Sequence, residues 1–179
     1  MTVRSRVCLS TLVVALSVTC AQICAPSYAH AQQIGEAETR KFVSCRTLVT
    51  WTAPQGTQVS YLGAGGKAYL WAPGNDAVLS GSWRIDPNAT SRQSPQAYIA
   101  VCFQYQGNAQ WDCRPAEILE RITMDHADGD VFGLEGRTAV PFRLARDRTN
   151  IAMLQQRIKD QAQGQVSGTA PSQPAAKCE

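Results

Sequence analysis

Ala77-Val-Leu-Ser-Gly-Ser-Trp-Arg-Ile-Asp86 alternates without interruption. Ala77, Leu79, Gly81, Trp83 and Ile85 fall on one side of an extended chain, and Val78, Ser80, Ser82, Arg84 and Asp86 on the other. Successive side chains of a strand point to opposite faces, so the pattern predicts an antiparallel strand with one face buried. Asp86-Pro87-Asn88 is expected to end it, because proline has no N–H to give to a ladder.

The neighbouring sequence repeats the theme. Lys67-Ala-Tyr-Leu-Trp71 reads as a strand, reached from Val59-Ser-Tyr-Leu62 through the turn Gly63-Ala-Gly-Gly66, and Trp71-Ala-Pro-Gly-Asn75 is a second turn. Downstream, Tyr98 to Tyr105 and Ala109 to Arg114 flank Gly107-Asn108, a hairpin tip by composition. Further strands are expected at Ile118 to Met124, Val131 to Leu134 and Val140 to Ala145. Short strands at this spacing predict a mainly β fold, a small antiparallel barrel or sandwich.

Two helices flank the strands. Asn150 to Gln161 sets Ile151, Leu154 and Ile158 on one stripe, with Thr149 or Asn150 as cap, and is expected to pack on the sheet as a C-terminal helix. Gly35 to Leu48 can open as a short N-terminal helix with Phe42, Val43 and Cys45 as its apolar contacts, although Thr, Val and Cys are poor helix formers. Gln161 to Glu179 is rich in Gln, Ser, Ala, Gly and Pro, has little to bury, and is expected to be a disordered tail.

The N-terminus has the three parts of a secretory signal. Arg4 and Arg6 carry charge, Val7 to Thr19 is apolar or small, and Ala29-His30-Ala31 fits a small-x-small cleavage site, so residues 1–31 form the expected signal peptide and 32–160 a single β-rich domain. The apolar run falls short of the roughly 20 residues a permanent helical span requires, so no stable membrane span is expected after cleavage. Ser17-Val-Thr19 before Cys20 and Ala21-Gln-Ile23 before Cys24 fit a lipid-attachment site poorly. A periplasmic or secreted location follows.

Cleavage removes Arg4 and Arg6, so the 17 basic residues become 15 against 14 acidic ones. That balance lacks the basic stripe of a nucleic-acid binder. Of seven cysteines, Cys45, Cys102, Cys113 and Cys178 remain, an even number suited to disulfides in an oxidising compartment. Cys102 and Cys113 lie opposite each other about a turn centred between Gly107 and Asn108, whether the loop has two residues or four, and are expected to be bonded. The same register sets Phe103 and Tyr105 on the face of Asp112 and Gln110, with Trp111 beside Gln104. No close cysteine pairs of zinc-site type occur, and no metal or cofactor is expected.

Several motifs recur together: Lys67-Ala-Tyr-Leu-Trp-Ala-Pro-Gly-Asn75, Gly81-Ser-Trp83, Cys102-Phe-Gln-Tyr105, Trp111-Asp-Cys113, Gly129-Asp-Val-Phe-Gly-Leu134 and Pro141-Phe-Arg-Leu144. As a set over Lys67 to about Ile158 the chain resembles a group of secreted alphaproteobacterial proteins, rhizobial in type, defined as a domain of unknown function. The resemblance implies a small periplasmic β domain and no particular activity. The chain departs from the group's pattern at Gln106 to Gln110, where a longer loop is expected.

Candidate site residues are few. Asp125-His-Ala-Asp-Gly-Asp130 looks like a cation loop, but aligning Gly129 as the central glycine of an EF-hand loop puts Met124 and His126 where oxygen ligands are required, so it reads as a solvated turn. His126 has no nucleophile or polarising partner in sequence. Asp112, Glu117, Asp128 and Asp130 could serve glycosidic chemistry if two of them approached. Among the aromatics, Trp71 and Trp111 lie at strand ends beside Asn75, Asp76 and Asp112 and are the expected exposed ligand contacts, the others packing as core. The leading expectation is a non-catalytic binding or interaction module of the cell envelope, its partner an envelope component or a small molecule. A small hydrolase and a barrel carrying an apolar ligand are the alternatives.

Overall fold

The computed structural model describes residues 35–92 and 95–164. The expected signal peptide and the part of the expected tail beyond Gly164 lie outside them, as do Cys20, Cys24 and Cys178. Among the described residues no helix is long and apolar enough to cross a membrane.

Seven strands form one antiparallel sheet, curled into a half-barrel. β1 (Arg46–Thr52), β2 (Gly56–Leu62), β3 (Lys67–Trp71), β4 (Leu79–Ala89), β5 (Tyr98–Tyr105) and β6 (Asp112–Pro115) follow one another as a meander. β7 (Thr123–Asp128) returns to the far side of β1, giving the order β6-β5-β4-β3-β2-β1-β7. Three α-helices accompany it: α1 (Glu36–Val43), α2 (Ala116–Ile122) and α3 (Ile151–Gly164). The expected mainly β fold with its C-terminal helix is present, and one curled sheet takes the place of a two-sheet sandwich.

Register carries one set of side chains across the whole inner face. Leu48 opposes Ser60, Ser60 opposes Leu70, and Leu70 opposes Leu79. Trp83 likewise opposes Phe103, and Phe103 opposes Asp112. α1 and α2 pack on this face, and α2 contacts both β1 and β5, four strands apart in the sheet. A two-turn helix reaches strands that far apart only from inside the curl. The inner core gathers Val43, Leu48, Leu62, Trp83, Val101 and Leu119.

The outer face over β1 to β3 carries Val49, Val59, Tyr61 and Trp71. It is covered by the chain after β7, through Phe132, Leu134, Phe142, Leu144 and, from α3, Ile151 and Leu154. Asn150 Oδ1 accepts from Met153 N at 2.9 Å and caps α3. The helix continues to Gly164, so residues 161–164, expected in the tail, are helical.

Five expectations change. Ile118 to Ile122 is not strand: Ala116, Leu119 and Ile122 repeat at helical spacing and form α2, whose Ala116 and Leu119 are buried, and only Thr123 and Met124 of the expected strand are extended, opening β7. A short apolar run fits either period until its surroundings decide. Val131 to Leu134 and Val140 to Ala145 are not strands either. Their alternate large residues pack onto the outer face, and near them Ala77↔Ala139 forms an isolated bridge. The helical reading of Gly35 to Leu48 stops at Val43, because Cys45 adopts φ 56° and its N–H donates to Leu62 O at 2.7 Å, which starts β1. Finally, Pro87 interrupts β4 without ending it: the ladder is irregular between Asp86 and Ala89 and resumes at Ala89↔Tyr98.

The β5–β6 hairpin keeps the expected register. Cys102 and Cys113 are directly opposed and disulfide-bonded. The connection, Gln106 to Trp111, is longer than the two or four residues expected. Asn108 Oδ1 accepting from Gln110 N at 3.1 Å and Gly107 at φ 88° supply its turns. Cys45 is disulfide-bonded as well.

Candidate functional site

The two tryptophans part ways. Trp71, expected as an exposed contact, is fully buried. Its Nε1–H donates to Phe142 O at 2.9 Å, and its ring meets Phe132 and Phe142 edge-on, with centroids 5.6 and 4.8 Å away. The covering segment arrives some sixty residues later in the chain, which a local reading of the strand end does not anticipate. Trp111 is half-buried and carries the Arg84 guanidinium 4.5 Å from its ring centroid. One face of its ring is therefore already occupied by a cation.

The carboxylates do not converge. β1 and β5 run in the same direction; Asp112 opposes Phe103 near the end of β5, whereas Asp128 opposes Arg46 at the start of β1. Asp112 and Asp128 thus lie at opposite ends of the sheet. Glu117 sits in the first turn of α2.

The acidic segment around His126 is structural. Asp125 Oδ2 accepts from Ile151 N at 2.9 Å, holding the start of α3. Asp128 pairs with Arg46 at 2.9 Å, and buried Asp130 accepts from Glu135 N at 2.8 Å. His126 lies edge-on to Phe42, with centroids 5.8 Å apart. No three His, Cys, Asp or Glu side chains gather to hold a metal among the described residues.

The inner face holds a site that the strand-by-strand reading missed. α1 and α2 fill its lower part, and a half-open pocket of about 150 Å³ remains at the end where β1 turns into β2. Leu48, Leu70, Phe103 and Leu119 form its apolar floor. Thr50, Gln58, Ser60 and Tyr105 bring hydroxyls and an amide to its walls, and Gln55, Asp112 and Arg114 stand at the mouth. Phe103 and Tyr105 lie two apart on one strand face with rings 6.3 Å apart and nearly parallel. The spacing of Phe103, Tyr105 and Asp112 was visible in sequence; strand β1, which supplies Leu48 and Thr50, and the curl that brings β6 round to the β1–β2 turn were not.

Two local features shape this pocket. Gly81 opposes Tyr105, and a Cβ there would stand 2.2 Å from Gln104 O and 2.8 Å from Tyr105 Cα, so β4 and β5 approach this closely only because position 81 is glycine. At the mouth, Arg114 Nη2 donates to Gln55 Oε1 at 3.2 Å and to Asp112 Oδ2 at 3.3 Å. The first of these bonds joins the edge strand β6 to the β1–β2 turn and bridges the opening of the curl.

Burial pushes the Tyr105 phenol up to about 12; the hydrogen-bonded Ser60 hydroxyl and the nearby Arg114 charge pull it down by less. In the unfolded chain the phenol releases its proton near the usual value of about 10. The neutral phenol's contribution to stability is therefore complete below about pH 10 and is lost as pH rises toward about 12. Tyr69, raised to about 12 by burial and by its bond to Glu135, adds to the same window. Urea melts between pH 9 and 12 should show a shallower alkaline loss for Tyr105→Phe than for the parent protein. Equal slopes would show that the phenol is not held neutral in the fold.

No family model, no curated protein and no solved structure matches the chain.

Proposed function

We propose that the chain is an exported, non-catalytic binding module of the cell envelope that takes a small molecule into the pocket on the inner face of its sheet. The observation that carries this reading is the pocket's construction, an apolar floor under a rim of convergent polar groups, which is the general make-up of small-molecule sites. Its volume of about 150 Å³ suits a benzene-sized body and is far too small for a lipid, which argues against the apolar carrier. The separation of Asp112 from Asp128 argues against a hydrolase built on those two carboxylates. The kinship proposed with the secreted alphaproteobacterial group agrees with an envelope role.

Two measurements test the reading. Amide shifts in a fragment screen should concentrate at Thr50, Ser60, Phe103 and Arg114; fragments that perturb only the outer face would overturn the pocket's role. Export is supported by Arg4 and Arg6, the apolar run, Ala29-His30-Ala31 and the Cys102–Cys113 disulfide. Mass spectrometry of protein recovered from the periplasm or medium should find Gln32 at the N-terminus. Retention of residues 1–31, or a lipid on Cys20 or Cys24, would overturn it.

A further inference from the structure

We infer that the pocket's ligand is a small organic carboxylate, its acid group held by Arg114 and its short apolar body lying on Leu48, Leu70, Phe103 and Leu119. This rests on the binding role proposed above and adds the ligand's charge and size.

The charges at the mouth set the polarity. Arg114 and Asp112 are the two charged side chains lining the pocket, and they differ in depth. The Arg114 side chain is 23% exposed and that of Asp112 58%, so the cation is the inner charge and the carboxylate the outer one. Both hydrogen bonds of Arg114 leave from Nη2. A guanidinium carries five N–H donors, so with Nη2 engaged the donors on Nε and Nη1 are left for a further acceptor. A carboxylate accepts from such a cationic donor with a charge-assisted bond roughly twice as strong as a neutral hydroxyl makes, and an ammonium, which has no acceptor, makes none.

The volume sets the size. About 150 Å³ corresponds to roughly five water molecules at liquid density, or one benzene-sized body. A ring or a branched chain of four or five carbons fills the floor while its acid group reaches the mouth. Two kinds of molecule share this chemistry: free short-chain or aromatic acids, and α-amino acids with apolar side chains. In the second kind the ammonium would face Asp112.

Calorimetric titration of the full mature protein with benzoate, isovalerate, benzyl alcohol, benzylamine and leucine tests the inference. Benzoate and isovalerate are expected to bind at least tenfold more tightly than benzyl alcohol or benzylamine. Arg114→Gln should remove that preference, and Arg114→Lys, which keeps the charge but not the planar donor set that also holds Gln55 and Asp112, should retain part of it. Near-ultraviolet circular dichroism and an intact Cys102–Cys113 bond certify that each variant is folded. Asp112→Asn, which frees Arg114 from its competitor, should tighten the simple acids a few-fold. If leucine binds and weakens in Asp112→Asn, the amino-acid form of the ligand is supported. If leucine follows the simple acids, the free-acid form is supported. Equal affinity for benzoate and benzyl alcohol, or an unchanged preference in folded Arg114→Gln, would sink the inference while leaving a binding pocket. Failure of all five probes to bind would overturn the pocket's binding role together with it.

Discussion

Trp71→Ala is expected to cost about 3–5 kcal/mol of folding stability, the usual range for truncating a fully buried tryptophan. The residue stands at the centre of the outer core and touches Phe132 and Phe142 edge-on. Alanine would remove that packing, leave a void between β3 and the covering segment, and strand Phe142 O without the indole N–H it accepts from. In a domain of this size the melting temperature should fall by on the order of 10–20 °C. Trp71→Phe, which keeps most of the volume and loses the hydrogen bond, should cost roughly half as much. Trp111→Ala, at a half-buried site, should lower stability by less than about 2 kcal/mol. Chemical denaturation of the three variants checks the order, and a Trp71→Ala loss below that of Trp111→Ala would mean the covering segment is not docked as described.

The second large effect is expected from Cys102→Ala/Cys113→Ala. The bond closes a loop with a sequence separation of 11. The chain-entropy estimate for a loop of that length is about 3 kcal/mol. Cys102 is also fully buried, beside Ala100 and half-buried Trp111, so its loss loosens local packing. β6 has four ladder pairs with β5, and it carries Asp112 and Arg114 to the pocket mouth. The variant should therefore show both a lower denaturation midpoint and sharper broadening of the Arg114 amide signal than of signals in β1 to β3. Paired substitution is preferable to a reductant, because Cys45 is disulfide-bonded too and a reductant would cut both links. A loss under about 1 kcal/mol would show that the hairpin holds its register without the bond.

How much of this was legible in sequence depends on the range of the interactions. The alternation, which holds from Leu79 to Ile85 although Ala77 is exposed and precedes the strand, and the symmetric placement of Cys102 and Cys113 are local signals, and both gave the observed faces and register. Even the placement of Phe103 opposite Asp112, which sets an aromatic beside a carboxylate, is what the structure has. That pair proves to be part of the pocket's floor and mouth, so an odd pairing for a core was a correct one for a site. Ile118 to Ile122 misled because a short apolar run carries too few residues to separate a period of two from one of 3.6. Val131 to Leu134 and Val140 to Ala145 misled because alternate apolar residues need only one buried side, and a covering strap has one as surely as a strand does. Trp71 was misplaced for the complementary reason, since its cover comes from that same distant strap. The pocket was invisible as a whole: Gln55 and Arg114 are 59 positions apart, and only the sheet's curvature brings them together.

The return of β7 to β1 has a consequence for the order in which the chain acquires its shape. β1 to β6 pair with immediate neighbours in sequence, so their hairpins can close as soon as the residues are available. The far side of β1 has to wait: Arg46 meets Asp128, and Leu48 meets His126, only after more than seventy further residues have emerged. Through that interval Leu48 and Val49, both destined for full burial, lie on a strand with one row of peptide groups unsatisfied. An open, apolar sheet margin of this kind invites pairing with another chain. Until β7 docks, β1 is therefore the margin of the sheet at which pairing with another chain is to be expected.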